Sequence, residues 1–109
     1  MINFDEFAKV EIRLGKILSA ERVEGSPKLL KLHVDFGGDG LGQRQILAGI
    51  GKFYEPELLL GKNAAFVFNL EPRIIMGQES QGMILAVSDE NNLSIITTDK
   101  EIKPGSKVS

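Results

Sequence analysis

The chain has no cysteine, which excludes disulfides and thiolate-held metal sites. Its single histidine, His33, leaves no cluster for zinc, which usually takes at least three side-chain ligands. No apolar stretch approaches the roughly 18 residues of a membrane span. The start, Met1-Ile2-Asn3-Phe4-Asp5, lacks the basic region and apolar run of a signal peptide, so the cytosol is the expected compartment. An excess of positive charge is missing too. The formal net charge is −2, which argues mildly against a nucleic-acid binder, since such domains are usually basic overall.

Net charge is only a sum, and its distribution matters more for a local binding face. From Lys9 to Lys31 there are six cations (Lys9, Arg13, Lys16, Arg22, Lys28, Lys31) against three anions (Glu11, Glu21, Glu24). Beyond Ser88 the chain turns acidic through Asp89, Glu90, Asp99 and Glu101. A length of 109 residues, 42% hydrophobic and 26% charged, predicts one soluble globular domain over 1–109 with a modest core.

Periodicity predicts an all-β chain. Asp5 to Ala8 reads as a single helical turn anchored by Phe4 and Phe7. Val10, Ile12 and Leu14 alternate with charged residues, and the phase breaks at Gly15-Lys16, which predicts a bulge or sharp bend there. Leu30, Leu32, Val34 and Phe36 alternate with Lys31, His33 and Asp35, and the glycines from Gly37 to Gly40 supply a hairpin connection. Further strands are expected over 43–50, 62–69, 83–87 and 93–97. Residues 53–60 suit a short helix, with Pro56 in its first turn and Gly61 as its stop. Three strands, a helix, then two strands, with extra strand at the C-terminus, is the order of a five-stranded OB-fold barrel. Such barrels hold oligonucleotides or oligosaccharides on a strand face and on their first and fourth connecting loops.

The fourth loop, Leu70 to Gln81, is long for a strand connection, as functional loops often are. Arg73 offers a planar fork of donors to a phosphate, and Asn69, Ser80 and Gln81 offer neutral hydrogen bonds. Ile74, Ile75 and Met76 suit a ribose or base face. From chemistry alone an equal alternative stands, in which these apolar residues fold under the loop or into a subunit contact. In the first loop, Gly25-Ser26-Pro27-Lys28, Lys28 and the nearby Lys31 are candidates for phosphate, with Lys52 and Arg13 weaker ones. Individually such lysines are more often only solvated.

Catalytic readings find no support. The acid pairs Asp5/Glu6 and Asp89/Glu90 are adjacent, unlike the separated carboxylates of hydrolases. Ser80 has no histidine-based triad, and Gly49-Ile50-Gly51-Lys52 is half a phosphate loop without its second element. No cofactor is expected. Phe36, Phe66 and Phe68 fall on inward parity, so few aromatics remain to stack on bases; any RNA would be read by backbone and shape.

Ordered motifs run the length of the chain. They are Val10 with Ile12-Arg13-Leu14-Gly15-Lys16-Ile17, Ala20-Glu21, Val23, Gly25 and Lys28-Leu29, then Leu47-Ala48-Gly49-Ile50, Tyr54, Pro56-Glu57, Leu59 and Gly61-Lys62. Asn69-Leu70, Pro72-Arg73, Met76-Gly77, the run Glu79-Ser80-Gln81-Gly82-Met83-Ile84-Leu85-Ala86, and Pro104-Gly105 complete them. Together they resemble the tRNA-binding domain family. That family includes the C-terminal extension of methionyl-tRNA synthetases, stand-alone tRNA-binding structure-specific proteins and the C-terminal module of an endothelial-monocyte-activating cytokine.

The resemblance implies an OB barrel that forms a homodimer and recognises the outer corner of the L-shaped tRNA with little sequence dependence. Its binding residues map onto Asn69, Arg73, Ser80 and Met83, with Lys28 in support. Ile74 departs from the pattern, since many members carry a basic residue there; the lost cation implies either weaker binding or phosphate work shifted to Lys28, Lys31 or Lys52. The likeness is strongest to the synthetase type, notably at Glu79 to Met83. The chain is therefore expected to be non-catalytic, either independent or a domain or partner of a methionyl-tRNA synthetase. A protein-interaction or chaperone-like module that binds peptides through Ile74-Ile75-Met76 is the alternative.

Overall fold

The computed structural model describes all 109 residues. Its best-patterned strand, β2 (Leu30–Asp35), carries the expected alternation: Leu30, Leu32 and Val34 are wholly buried while His33 faces solvent. β2 pairs antiparallel with β1 (Ile12–Arg22) on one side and β3 (Gln43–Ala48) on the other. β1 is shared. Its residues 16–22 pair with β2, while 12–16 pair with β4 (Asn63–Val67), so the strand must bend to serve both neighbours. With β7 (Met83–Ile84) beside β4, the strands form a curled five-stranded antiparallel sheet in the order β3-β2-β1-β4-β7. This is an all-β fold of the OB type, as expected.

The bulge sits later than predicted. The register slips between Ile17 and Ser19, so the extra residue is Leu18 and not Gly15-Lys16. Gly15 has a different job. A Cβ there would lie 2.5 Å from Val34 Cγ1 and 2.8 Å from Phe36 Cε1, so only glycine lets the core press onto the β1 backbone. Phe36 packs edge-on against Phe66 and Phe68, at centroid distances of 5.5 and 4.9 Å, and all three rings are buried as their parity required.

The predicted helix over 53–60 shrinks to one 3-10 turn, Pro56–Leu59. Pro56 and Leu59 are its buried residues, and Leu59 joins the core, while Leu58 and Leu60 stay exposed. Gly61, at φ +81°, then turns the chain so that Gly61 N–H donates to the Ile17 carbonyl. The expected strand over 83–87 is split. Leu85 leaves the sheet register while still donating to Ala65, and β8 (Ala86–Ser88) pairs instead with β9 (Leu93–Ile95). The last residues return along the start of β1, where Gly105 and Val108 N–H groups donate to Leu14 and Ile12.

The N-terminal turn is a short helix, α1 (Phe4–Ala8), closed by a capping box in which Asn3 and Glu6 exchange side-chain and backbone hydrogen bonds. Phe4 and Phe7 do not anchor it, contrary to expectation. Phe4 is 78% and Phe7 39% exposed, because the barrel interior is already filled by the strands. No helix is long and apolar enough to cross a membrane.

Candidate nucleic-acid interface

The segment predicted as an open loop, Leu70 to Gln81, is largely a hairpin. β5 (Arg73–Ile75) pairs antiparallel with β6 (Gln78–Ser80) across a two-residue turn at Met76-Gly77. Both turn residues have positive φ, +53° and +77°, the conformation that matches a tight turn to strand twist. Methionine rarely adopts it, which is why a sequence reading saw a loop.

Polar groups rivet this hairpin to the barrel. β3 is an edge strand, and its outward N–H groups need partners. Ser80 Oγ accepts from Leu47 N at 3.0 Å, and Gln81 Oε1 accepts from Gln45 N at 2.9 Å. Gln81 N–H donates to the Gln45 carbonyl at 2.8 Å, and Gln45 Nε2 donates to the Glu79 carbonyl at 2.8 Å. The same bonds close the barrel and aim the hairpin.

Arg44 locks the hairpin base. Its Nη1 donates to the carbonyls of Phe68 and Gln81, and its guanidinium lies 3.6 Å from the centre of the Phe68 ring. Burial holds its pKa below the ordinary arginine value, with the charge of Glu11 opposing the shift. Arg44 was missed in the sequence. Nothing in its spacing links it to Phe68, and only barrel closure brings them together.

The predicted site residues fall into two sets. Arg73 projects from the hairpin, exposed and outside the three ion pairs of the molecule, flanked by Ile74 at 70% and Met76 at 57% exposure. Met83 is also exposed. Lys28 is exposed in the first loop, whose backbone is fixed where Gly51 N–H donates to the Lys28 carbonyl at 2.7 Å. The two loops meet, because the Met76 methyl lies 3.6 Å from where a Cβ on Gly25 would sit. The hairpin tip at Met76 therefore lies beside the first loop, in which Lys28 stands, while Arg73 is exposed on the hairpin.

The other predicted residues are turned to structural work. Ser80 is 4% exposed, and its hydroxyl donates to the Gly82 carbonyl while accepting from Leu47. Asn69 spends both amide atoms on the N-terminal segment: Oδ1 accepts from Glu11 N at 2.8 Å and Nδ2 donates to the Lys9 carbonyl at 2.7 Å. Lys31 Nζ lies 2.8 Å from Glu21 Oε1, so its charge is locally matched.

An exposed hairpin tip that carries Arg73, Ile74 and Met76 on an OB barrel suits a phosphate–sugar surface, and known proteins point the same way. The family described as "Putative tRNA binding domain" matches residues 12–107. A methionine–tRNA ligase of Caldanaerobacter subterraneus subsp. tengcongensis is 49% identical over 108 residues, covering 99% of this chain. The chain spans only 16% of that ligase's length. Among solved structures, a MetRS-related protein from Pyrococcus horikoshii superimposes with a TM-score of 0.91 at 36% identity, covering all of this chain and 98% of that one. The chaperone CsaA of Bacillus anthracis str. Ames follows at 0.89 and 31% identity, covering all of this chain and 99% of its own. With a family match across almost its whole length, this chain belongs to the tRNA-binding domain family.

Proposed function

We propose that the chain, as one OB-fold unit, binds folded tRNA around the outer corner of its L-shape, reads backbone and shape over sequence, and catalyses nothing itself. The exposed hairpin tip, with Arg73, Ile74 and Met76 beside the first loop that holds Lys28, carries this reading, and Met83 is exposed on β7. In this reading the two exposed cations meet phosphates, while the apolar tip rests on ribose. Asn69 and Ser80 serve that hairpin by holding its base, and Lys31 contributes less because Glu21 already pairs with it.

The likeness to part of a methionine–tRNA ligase supports a role beside such a synthetase in the cytosol, as its C-terminal or beta domain or as a stand-alone partner. Phe4, Phe7, Val10 and Val108 line an apolar surface hollow, which a second copy of the chain would cover as a homodimer.

The test is a titration with folded tRNA, heat-unfolded tRNA and single-stranded RNA of equal length, each at two salt concentrations. Folded tRNA binds best, and added salt weakens it. Arg73→Ala costs about tenfold in affinity, or about 1.4 kcal/mol. Equal binding of all three RNAs, or none, overturns the reading. It would favour peptide binding through Ile74 and Met76, which loss of aggregation suppression in Ile74→Asp would then support.

A further inference from the structure

Beside the base of the β5–β6 hairpin, a hollow of about 370 Å³ opens between Arg44, Phe68, Gln81 and the 69–72 segment. Pro72 leads directly into β5, so the hollow lies at the foot of the strand that carries Arg73. Arg44 is half-buried here and takes no part in the three ion pairs of the molecule. Glu11, whose charge reaches it, is paired with Arg13.

The Arg44 guanidinium is fixed on one side and free on the other. Nη1 donates to the carbonyls of Phe68 and Gln81, and the group lies 3.6 Å from the centre of the buried Phe68 ring. Nε and Nη2 have no partner in the molecule. Asn63 Oδ1 is the one buried side-chain nitrogen or oxygen without a partner, so Arg44 Nε and Nη2 are open to solvent. The same holds for Gln81 Nε2, since that amide is engaged only through Oε1. Acceptors are scarce. Both amide atoms of Asn69 are held by the N-terminal segment, which leaves the Glu71 carboxylate as the one unengaged side-chain acceptor on the wall.

Unpartnered donors that include a fixed cation call for an anion. The Nε–H and Nη2–H groups of one arginine point the same way and match two oxygens of one phosphate or carboxylate. Because Nη1 and the ring already hold the Arg44 side chain, little rotamer freedom remains to be lost on binding. The place of the hollow favours phosphate, since it adjoins the hairpin whose exposed cation the tRNA-binding reading assigns to RNA backbone. We propose that this hollow binds a phosphate group, gripped side-on by Nε and Nη2 of Arg44 with Gln81 Nε2 as a further donor. Where the phosphate is part of RNA, the inference rests on that tRNA-binding reading; free phosphate offers the same chemistry.

The experiment follows the Arg44 Nε–H NMR signal of the intact chain, identified by its absence in Arg44→Lys. At constant ionic strength the chain is titrated with inorganic phosphate, acetate and folded tRNA. Phosphate moves the signal downfield and saturably, acetate acts several-fold more weakly, and tRNA moves it and blocks the response to phosphate. In parallel, tRNA affinity is measured against salt for Arg73→Ala and for Arg73→Ala/Arg44→Gln. A slope lower in the double variant by about 0.7 to 0.9, the value of one phosphate contact, identifies the ligand as RNA backbone. Positioning of the hairpin alone would leave that slope unchanged, because the hairpin cation that Arg44 positions is already gone. An unchanged slope with a saturable phosphate shift identifies free phosphate as the ligand. An unchanged slope without that shift, or acetate acting as strongly as phosphate, overturns the proposal. Failure of the wild-type chain to bind folded tRNA overturns the hairpin reading instead, and the phosphate titration then decides this hollow alone.

Discussion

In β2 the inward side chains Leu30, Leu32 and Val34 are wholly buried, whereas in the β5–β6 hairpin Ser80 is the one buried residue of the six in its strands. The barrel wall is held by apolar burial and continuous backbone ladders. The hairpin is held by a few polar side chains, chiefly Ser80, Gln81, Gln45 and Arg44. Burial is non-directional and tolerates small shifts, while hydrogen bonds fix distance and angle. A segment positioned by polar rivets can leave its apolar and cationic side chains in solvent, which the proposed contact with RNA requires.

The comparison can be broken at several points. The largest effect is expected in the wall. Phe66→Ala removes a fully buried ring at the centre of the aromatic cluster and costs about 3–5 kcal/mol, read by denaturant unfolding. A loss under 1 kcal/mol would mean the wall does not depend on its core as described. Ser80→Ala comes next. It leaves the Leu47 N–H without its partner and costs about 1–3 kcal/mol. Hydrogen exchange rises at Leu47 and in the hairpin, tRNA affinity falls, and the amides of β2 stay protected. If β2 loosens equally, the two regions are one cooperative unit.

The smallest effect tests whether the other hairpin, β8–β9, shares the polar logic. Asp89 accepts from the N–H groups of Asn91 and Asn92 at 2.8 Å, and these bonds hold its carboxyl below the ordinary value of 3.8. A depressed folded-state pKa means the turn is stabilised above the unfolded value and loses that support as pH falls through the folded one. An NMR titration of Asp89 therefore has its midpoint below 3.8. A midpoint at or above it would remove the turn from the comparison.

How much was legible in the sequence follows the same division. β2 was readable because a period of two with one face buried has a single solution. The inward phenylalanines were readable for the same reason. The Leu18 bulge was displaced from Gly15 because parity marks a bend only to within a few residues, and glycine marks close approach as readily as a bulge. The hairpin was read as a loop because Met76 carries the positive φ that a reader assigns to glycine or asparagine.

Among the proposed site residues, Arg73 and Lys28 were singled out by charge and position, and the structure leaves both exposed. Ser80 and Asn69 were legible as important but not in their direction. A hydroxyl or amide beside a binding loop reads alike whether it faces a ligand or the backbone, and here both face the backbone. Composition by itself excluded disulfides, and periodicity determined an all-β chain and its core faces, because local alternation records which side of a strand is buried. Tertiary structure alone decided that β3 needs the hairpin's side chains, that Arg44 meets Phe68, and that Asn63 is left with an unused acceptor. Those depend on which edges meet when the sheet curls, and no local pattern along the chain records that.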